Sequence, residues 1–363
     1  MRLTMGRRWL AGVCCCMAQT AGAQEAAAWH PYAQARAWAA YDAVPVKQID
    51  GDWADDYAPR SGRNVMLQRQ RAELGVERGE WRLGWEVRRE ATLTSDRETL
   101  DFVRRYKQRS KPSEASDYRL AARLERWSAQ GPRLGRWFGR SDGGGPRLLL
   151  SGAIYTRASL RDTAVNGTVR YVPVDNYGFD MRRTEANSAD RYPFMRQEPG
   201  GAGASVSMAL AWQLAPAVSV DAHVDDVWSA MRWRNLPIKQ DRLDSQVSSY
   251  DADGYINYRP LLSGSNRQET VRGKLGRSGG AAVQVDLGPA LLGAGVERLA
   301  GVTIPTLSLG RRFGWGALTA RVESRFKTLG IGIESDHVSL ALQSDSLHVG
   351  KAKALGVSLG LRY

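Results

Sequence analysis

Apolar side chains recur at every second position along most of this 363-residue chain. Trp81, Leu83, Trp85 and Val87 alternate with Arg82, Glu86, Arg88 and Glu90. Tyr118, Leu120, Ala122 and Leu124 alternate with Arg119, Ala121, Arg123 and Glu125. Further on, Val206, Met208, Leu210 and Trp212 alternate with small or polar residues, and Val218, Val220, Ala222 and Val224 oppose Ser219, Asp221 and His223. The last nine residues repeat the pattern: Leu355, Val357, Leu359, Leu361 and the terminal Tyr363 fall on one side, Gly356, Ser358, Gly360 and Arg362 on the other. Successive side chains of an extended strand point to opposite faces, so each stretch reads as a strand with one apolar face. Such faces are buried against one another in a soluble sandwich, or turned to lipid in a closed barrel.

The two ends of the chain favour the barrel. A strand apolar on one side, small or polar on the other and closed by a terminal aromatic resembles the final strand of a Gram-negative outer-membrane β-barrel. The resemblance implies that Leu355, Val357, Leu359, Leu361 and Tyr363 serve as an assembly signal read by a barrel-assembly machinery. At the other end, Arg2, Arg7 and Arg8 precede a short apolar run from Trp9 to Met17, and Ala21-Gly22-Ala23 is an A-x-A site. This is the pattern of a secretory signal over residues 1–23, its apolar run far short of the ~20 residues of a spanning helix. A lipoprotein reading of Cys14, Cys15 and Cys16 lacks the Leu that begins such a box.

All three cysteines lie in that signal, which leaves the mature chain without disulfides or cysteine metal sites. With four histidines in the whole chain, a His-rich metal centre is not expected, and no cofactor is called for. No run of roughly 18 apolar residues follows the signal, so helical spans are not expected. The mean hydropathy of −0.41 is compatible with a membrane barrel, whose lumen is polar. The net charge is +13, three of it in the signal. The arginines are spread over alternating strands, no nucleic-acid motif is present and export removes the chain from nucleic acid, so that partner is excluded. Outer-membrane lipid and lipopolysaccharide are the expected surroundings.

The chain divides into the signal 1–23, a segment 24–62 and a barrel 63–363. In 24–62, Tyr32 to Tyr41 has the Ala-rich composition of two or three helical turns, followed by Asp50, Asp52, Asp55 and Asp56. It reads as a periplasmic extension or as a plug whose acids face lumenal arginines. Strands of about 9–11 residues give an all-β, antiparallel transmembrane barrel of about 12 strands, with a range of about 10–14. Ala215-Pro216-Ala217, Gly288-Pro289-Ala290 and Gly314-Trp315-Gly316 read as tight turns, and 94–116, 162–203 and 235–268 as long outer loops. Of the 12 tryptophans, Trp81, Trp85, Trp127, Trp137, Trp212, Trp228, Trp233 and Trp315 lie near strand ends or turns in this reading and suit interfacial girdles.

The polar faces supply the candidate pore lining: Arg82, Glu86, Arg88, Arg119, Arg123, Arg157, Arg161, Arg272, Lys274, Arg321 and Glu323. Arg157 and Arg161 are assigned there by opposition to Leu150, Ile154, Ala158 and Leu160, and Arg272 and Lys274 by opposition to Val271 and Leu275. An arginine-lined constriction passes anions or polar solutes, whereas a ladder of Arg–carboxylate pairs fills a narrow barrel. The function expected is a porin-like or transport channel, with a non-conducting structural or adhesion barrel and an outer-membrane hydrolase as alternatives. For the hydrolase, Asp221-Ala-His223 with Asp251-Ala-Asp253 resembles the water-activating pairs of the omptin outer-membrane proteases. The resemblance makes Asp221 and His223 one half of a site and Asp251 and Asp253 the other. The competing reading is a lumenal Asp–His pair.

Overall fold

The computed structural model describes residues 28–363 except 55, 140–144, 174–175, 194, 196, 246–247, 251–252, 254–255 and 259–260. The signal segment 1–23 lies outside the described residues. Beside a separate short hairpin of Ser248–Tyr250 and Ile256–Tyr258, the main sheet of the described residues is one closed antiparallel β-barrel of fourteen strands. They are β1 (His30–Tyr41), β2 (Asn64–Arg78), β3 (Trp81–Ser95) and β4 (Ser116–Phe138). β5 runs in two segments (Pro146–Tyr155, Arg157–Val172), as does β6 (Asn176–Asn187, Gly200–Ala215); β7 is Val218–Asp244. β8 is again divided (Leu262–Gly273, Ser278–Asp286), followed by β9 (Ala290–Leu299) and β10 (Val302–Phe313). β11 (Gly316–Glu323), β12 (Thr328–Glu334), β13 (Val338–Ser344) and β14 (Ala354–Arg362) complete the wall.

Closure is made by the segment that the sequence assigns to an extension. β1 pairs with β2 on one side, Trp38 opposite Arg69, and with β14 on the other, Trp38 opposite Gly356. The barrel therefore begins at residue 30 rather than 63, and Tyr32 to Tyr41 is a strand rather than a helix. A local preference for helix in an Ala-rich run is worth tenths of a kcal/mol per residue. Here it is outweighed by two ladders of hydrogen bonds that leave no free sheet edge. With β1 in the wall and five strands, β9–β13, between 290 and 345, the count is fourteen rather than about twelve.

At the rim that holds both described ends, strands are joined by short turns at 79–80, 216–217, 287–289, 314–315 and 335–337. The opposite rim carries the long connections 42–63, 96–115 and 245–261. Much of 162–203 and 235–268, read as loop, is strand: β5, β6 and β7 continue beyond the level where β3 ends. The 96–115 connection contains helix α1 (Arg97–Lys107), whose N-cap Asp96 accepts from the Thr99 amide at 2.8 Å. Leu100 and Val103 of α1, with Val44, Trp53 and Tyr57 of the 42–63 connection, cover Met66, Ala91, Leu93 and Leu124. Those four point away from the lumen, alternating with Val65, Leu67, Glu90 and Glu125. The acidic segment is thus no plug: it lies with α1 against the outside of the wall.

Below this cover the outer face is bare and apolar. Leu83, Trp85, Leu134, Ile154, Leu309, Ile331, Leu342 and Val357 are 43–63 % exposed. Soluble proteins rarely expose a contiguous apolar surface of this extent. In hydrocarbon it is favourable, and a closed barrel satisfies every strand amide there. Leu355, Val357 and Leu359 of β14 belong to this face. Tyr363 ends the chain at the short-turn rim, its ring 6.3 Å from His337. Arginines lie over aromatic rings at the same rim: Arg136 over Trp81 and Phe138, Arg147 over Trp137, Arg311 over Phe313. This is the composition of an interfacial girdle.

Candidate functional site

The inward faces of β1–β4, β7 and β9 meet across the lumen through an ion-pair network. Arg69 of β2 donates to Asp225 of β7, with Glu90 at 3.3 Å and Glu297 of β9 at 3.5 Å. Arg71 is 2.6 Å from Glu86 and 3.1 Å from Asp225. Arg133 of β4 reaches Glu86 at 3.2 Å and the Ser151 hydroxyl at 2.6 Å. Arg88 is fully enclosed: it grips Asp226 through both Nη atoms at 2.9 and 2.8 Å and also bonds Glu90 at 2.8 Å and Tyr155 at 3.1 Å. Toward the short-turn rim, Arg82 pairs with Glu73 at 3.1 Å and lies over the Tyr32 ring, whose hydroxyl donates to Glu73 at 2.6 Å. Arg36 of β1 closes on Glu297 at 3.0 Å.

A local distortion of β7 makes this network possible. Strict alternation would send Asp225 inward and Asp226 outward. The β7 ladder with β6 slips between Val206 and Met208, and Asp226 takes φ +55°. This bulge turns both acids into the lumen, where their side chains are 9 % and 0 % exposed. Two apolar clusters adjoin the network on its long-loop side. One is Trp38, Leu67, Val302, Ile304 and Phe326 with neighbours. The other is Trp127, Tyr155, Met231, Trp233, Leu236 and Leu275. Ion pairs and apolar clusters together form a septum.

Cavities with both charged and apolar residues in their walls approach the septum from both sides. Toward the short-turn rim lie two adjoining cavities of about 320 and 420 Å³ that share Arg36, His223 and Ser358. Toward the long-loop rim a cavity of about 350 Å³ is lined by Arg63, Glu90, Thr92, Arg123 and Glu125.

Arg82, Glu86 and Arg88 lie in the network, Arg321 lines the first cavity and Arg123 the third. Arg119 is exposed on the part of β4 that extends toward α1. Glu323 turns inward but is taken up by the β11–β12 turn, accepting from the Phe326 amide at 2.9 Å. Four residues lie on the other face from the one expected. Thr156 interrupts the alternation of β5: Tyr155 and Ala158 both point inward, so Arg157 and Arg161 point out. In β8 the break at 274–277 reverses the phase likewise: Val271 and Leu275 join the lumenal cluster, and Arg272 and Lys274 are exposed outside. One extra residue in a strand moves every later side chain to the opposite face. The network members Arg69, Arg71, Glu73, Arg133 and Asp226 were not foreseen. The 65–73 stretch has apolar residues on both faces, and β4 continues past Trp127 through Pro132.

Asp253 does not meet the Asp221–His223 pair. Asp221 and His223 line the cavities toward the short-turn rim. Asp253 lies beyond the far end of β7, and Asp251 is outside the described residues. At ~3.3 Å per residue, His223 and the end of β7 at Asp244 are separated by roughly 70 Å. The paired arrangement of the omptin resemblance is therefore not formed.

The closed barrel is the architecture of Gram-negative outer-membrane β-barrel proteins. No family model matches the chain, and no curated protein matches it. Among solved structures, a deletion mutant of the monoaromatic hydrocarbon channel TodX is 8 % identical, with a TM-score of 0.45 over 92 % of this chain and 89 % of that one. The P. putida toluene transporter TodX is 10 % identical, with a TM-score of 0.41 over 94 % and 89 %. The outer-membrane protease OmpT from Escherichia coli is 6 % identical, with a TM-score of 0.22 over 92 % and 93 %. Likeness of this degree carries no argument about cargo or chemistry.

Proposed function

We propose that this protein is an outer-membrane conduit for small polar or anionic solutes, held closed at rest by the ion-pair septum. The observation that carries the reading is the presence of cavities with charged side chains in their walls on both sides of a partition braced by ion pairs. A barrel wall needs only hydrogen bonds between neighbouring strands, yet here β2 and β3 reach across to β7 and β9. Breaking buried pairs of this kind costs about 3–5 kcal/mol each, which keeps the conduit closed at rest. Arg36 and Arg321 face the cavity on the short-turn side and supply its exposed positive charge.

The test is conductance of the full chain in a planar bilayer. The wild type is expected to open rarely. The double variant R69S/D225S removes the pairs of Arg69 with Asp225, Glu90 and Glu297 and that of Arg71 with Asp225, while leaving Glu90 with Arg88, Glu297 with Arg36 and Arg71 with Glu86. It is expected to give frequent, larger and anion-leaning steps. A folded R69S/D225S barrel as silent as the wild type would shift the reading to a non-conducting structural barrel, which the apolar clusters beside the septum would suit.

A further inference from the structure

Where the bare apolar face ends on the long-loop side, the outer wall carries a belt of arginines. On β3 the outward series Trp81, Leu83, Trp85, Val87 is followed by Arg89; on β4, Leu134 and Pro132 lead to Gln130, Ser128 and Arg126. On β5, Ile154 is followed by Arg157, Ser159 and Arg161, and on β7, Trp228 and Ala230 by Arg232. Arg126 stands directly opposite Arg161, and Arg232 directly opposite Arg272. Like charges in such cross-strand positions repel and destabilise a sheet. In the lumen the opposed pair Arg71 and Arg88 is straddled by Glu86, Asp225, Glu90 and Asp226. The outer pairs have far less: Glu185 bonds Arg161 at 2.9 Å and Asp50 lies within electrostatic reach of Arg126. Ser128 and Ser159, hydrogen-bonded at 2.7 Å, complete a polar floor between the arginines. Among the described residues the short-turn rim has no such opposed pairs: Arg136, Arg147 and Arg311 lie on aromatic rings, and Arg312 and Arg362 pair with Asp286 and Glu77.

We propose that this belt binds the phosphates of a phosphorylated lipid in the leaflet on the long-loop side, one phosphate bridging each opposed arginine pair. Bidentate guanidinium–phosphate contacts suit that geometry, and the acyl chains of the same lipid lie on the apolar face directly below. The proposal rests on the membrane-spanning reading of the barrel. If that reading fails, the chain will not insert into vesicles, whatever its belt binds.

The test uses the folded full chain in detergent and three probes: a bisphosphorylated, acylated diglucosamine lipid, its phosphate-free counterpart with the same acyl chains, and inorganic phosphate. Retention is read by native mass spectrometry and stability by the temperature of the heat-modifiable gel shift. The wild type is expected to retain the bisphosphorylated lipid about tenfold more tightly than the phosphate-free one. R126Q/R272Q takes one arginine from each pair. It is expected to lose about that factor while unfolding, without lipid, at the same or a higher temperature. R126K/R272K keeps the charge and should retain most of the binding; R136Q/R311Q, at the opposite rim, should retain all of it. Equal retention of the two lipids, or full binding by R126Q/R272Q, overturns the proposal. Displacement of the lipid by millimolar inorganic phosphate also overturns it, by making the belt a site for free anions.

Discussion

Replacing Arg88 by Met tests whether the septum is a dry, cross-braced element. Methionine has a similar length and no charge, so the change removes the guanidinium with little change of volume. Arg88 and Asp226 are both fully enclosed, at 0 % side-chain exposure. The substitution removes both bonds to Asp226, one to Glu90 and one to Tyr155. Glu90 retains Arg69, but Asp226 is left as a buried charge with no cation against it. Breaking a buried pair in this way costs about 3–5 kcal/mol. Removing both charges, in R88M/D226N, leaves no stranded carboxylate, and the double variant should cost about 2–3 kcal/mol less than the sum of the singles. The assay is equilibrium urea unfolding from lipid vesicles followed by tryptophan fluorescence, with circular dichroism confirming the barrel. A cost for R88M below about 1 kcal/mol, or additivity within about 0.5 kcal/mol, would refute the reasoning by showing that water already solvates the septum.

Three other outcomes are expected. A Cβ at Gly84 would stand 2.5 Å from the Tyr32 hydroxyl, so Gly84→Ala should displace Tyr32 from Glu73 and lower stability by about 1–3 kcal/mol, read from the shift in urea midpoint. Val357→Arg places a cation on the lipid face and should cost about 2–4 kcal/mol in vesicles; a negligible loss there would contradict the spanning assignment of β14. Leu100, 2 % exposed, pins α1 to the outer wall, and Leu100→Ala should weaken that cover by about 2–5 kcal/mol. The resulting rise in amide exchange should be confined to α1 and residues 42–57; faster exchange in β7 or β9 would mean that the cover also supports the lumen.

Only part of the candidate site could be read one residue at a time. Arg82, Glu86 and Arg88 could be placed on the inward face because β3 alternates without interruption from Trp81 to Arg88. Arg157, Arg161, Arg272 and Lys274 could not, because Thr156 and the 274–277 break reverse the phase of strands that look continuous in the sequence. Asp226 escaped for the same reason: its inward orientation depends on a positive φ at a bulge.

Period-two alternation, glycine–proline turns and the apolar final strand are local properties of the chain. They suffice to set out antiparallel strands with one apolar face and the turns along one rim, since the geometry of a strand decides on its own which neighbours share a face; the pattern of the two chain ends then favours a barrel over a sandwich. The tertiary structure decided what alternation does not encode. It drew an Ala-rich segment into the wall as β1, because closing the sheet satisfies two edges at once. It also chose which acids neutralise which arginines across the lumen, because Arg69, Asp225 and Glu297 are brought together only when strands far apart in sequence close into a ring.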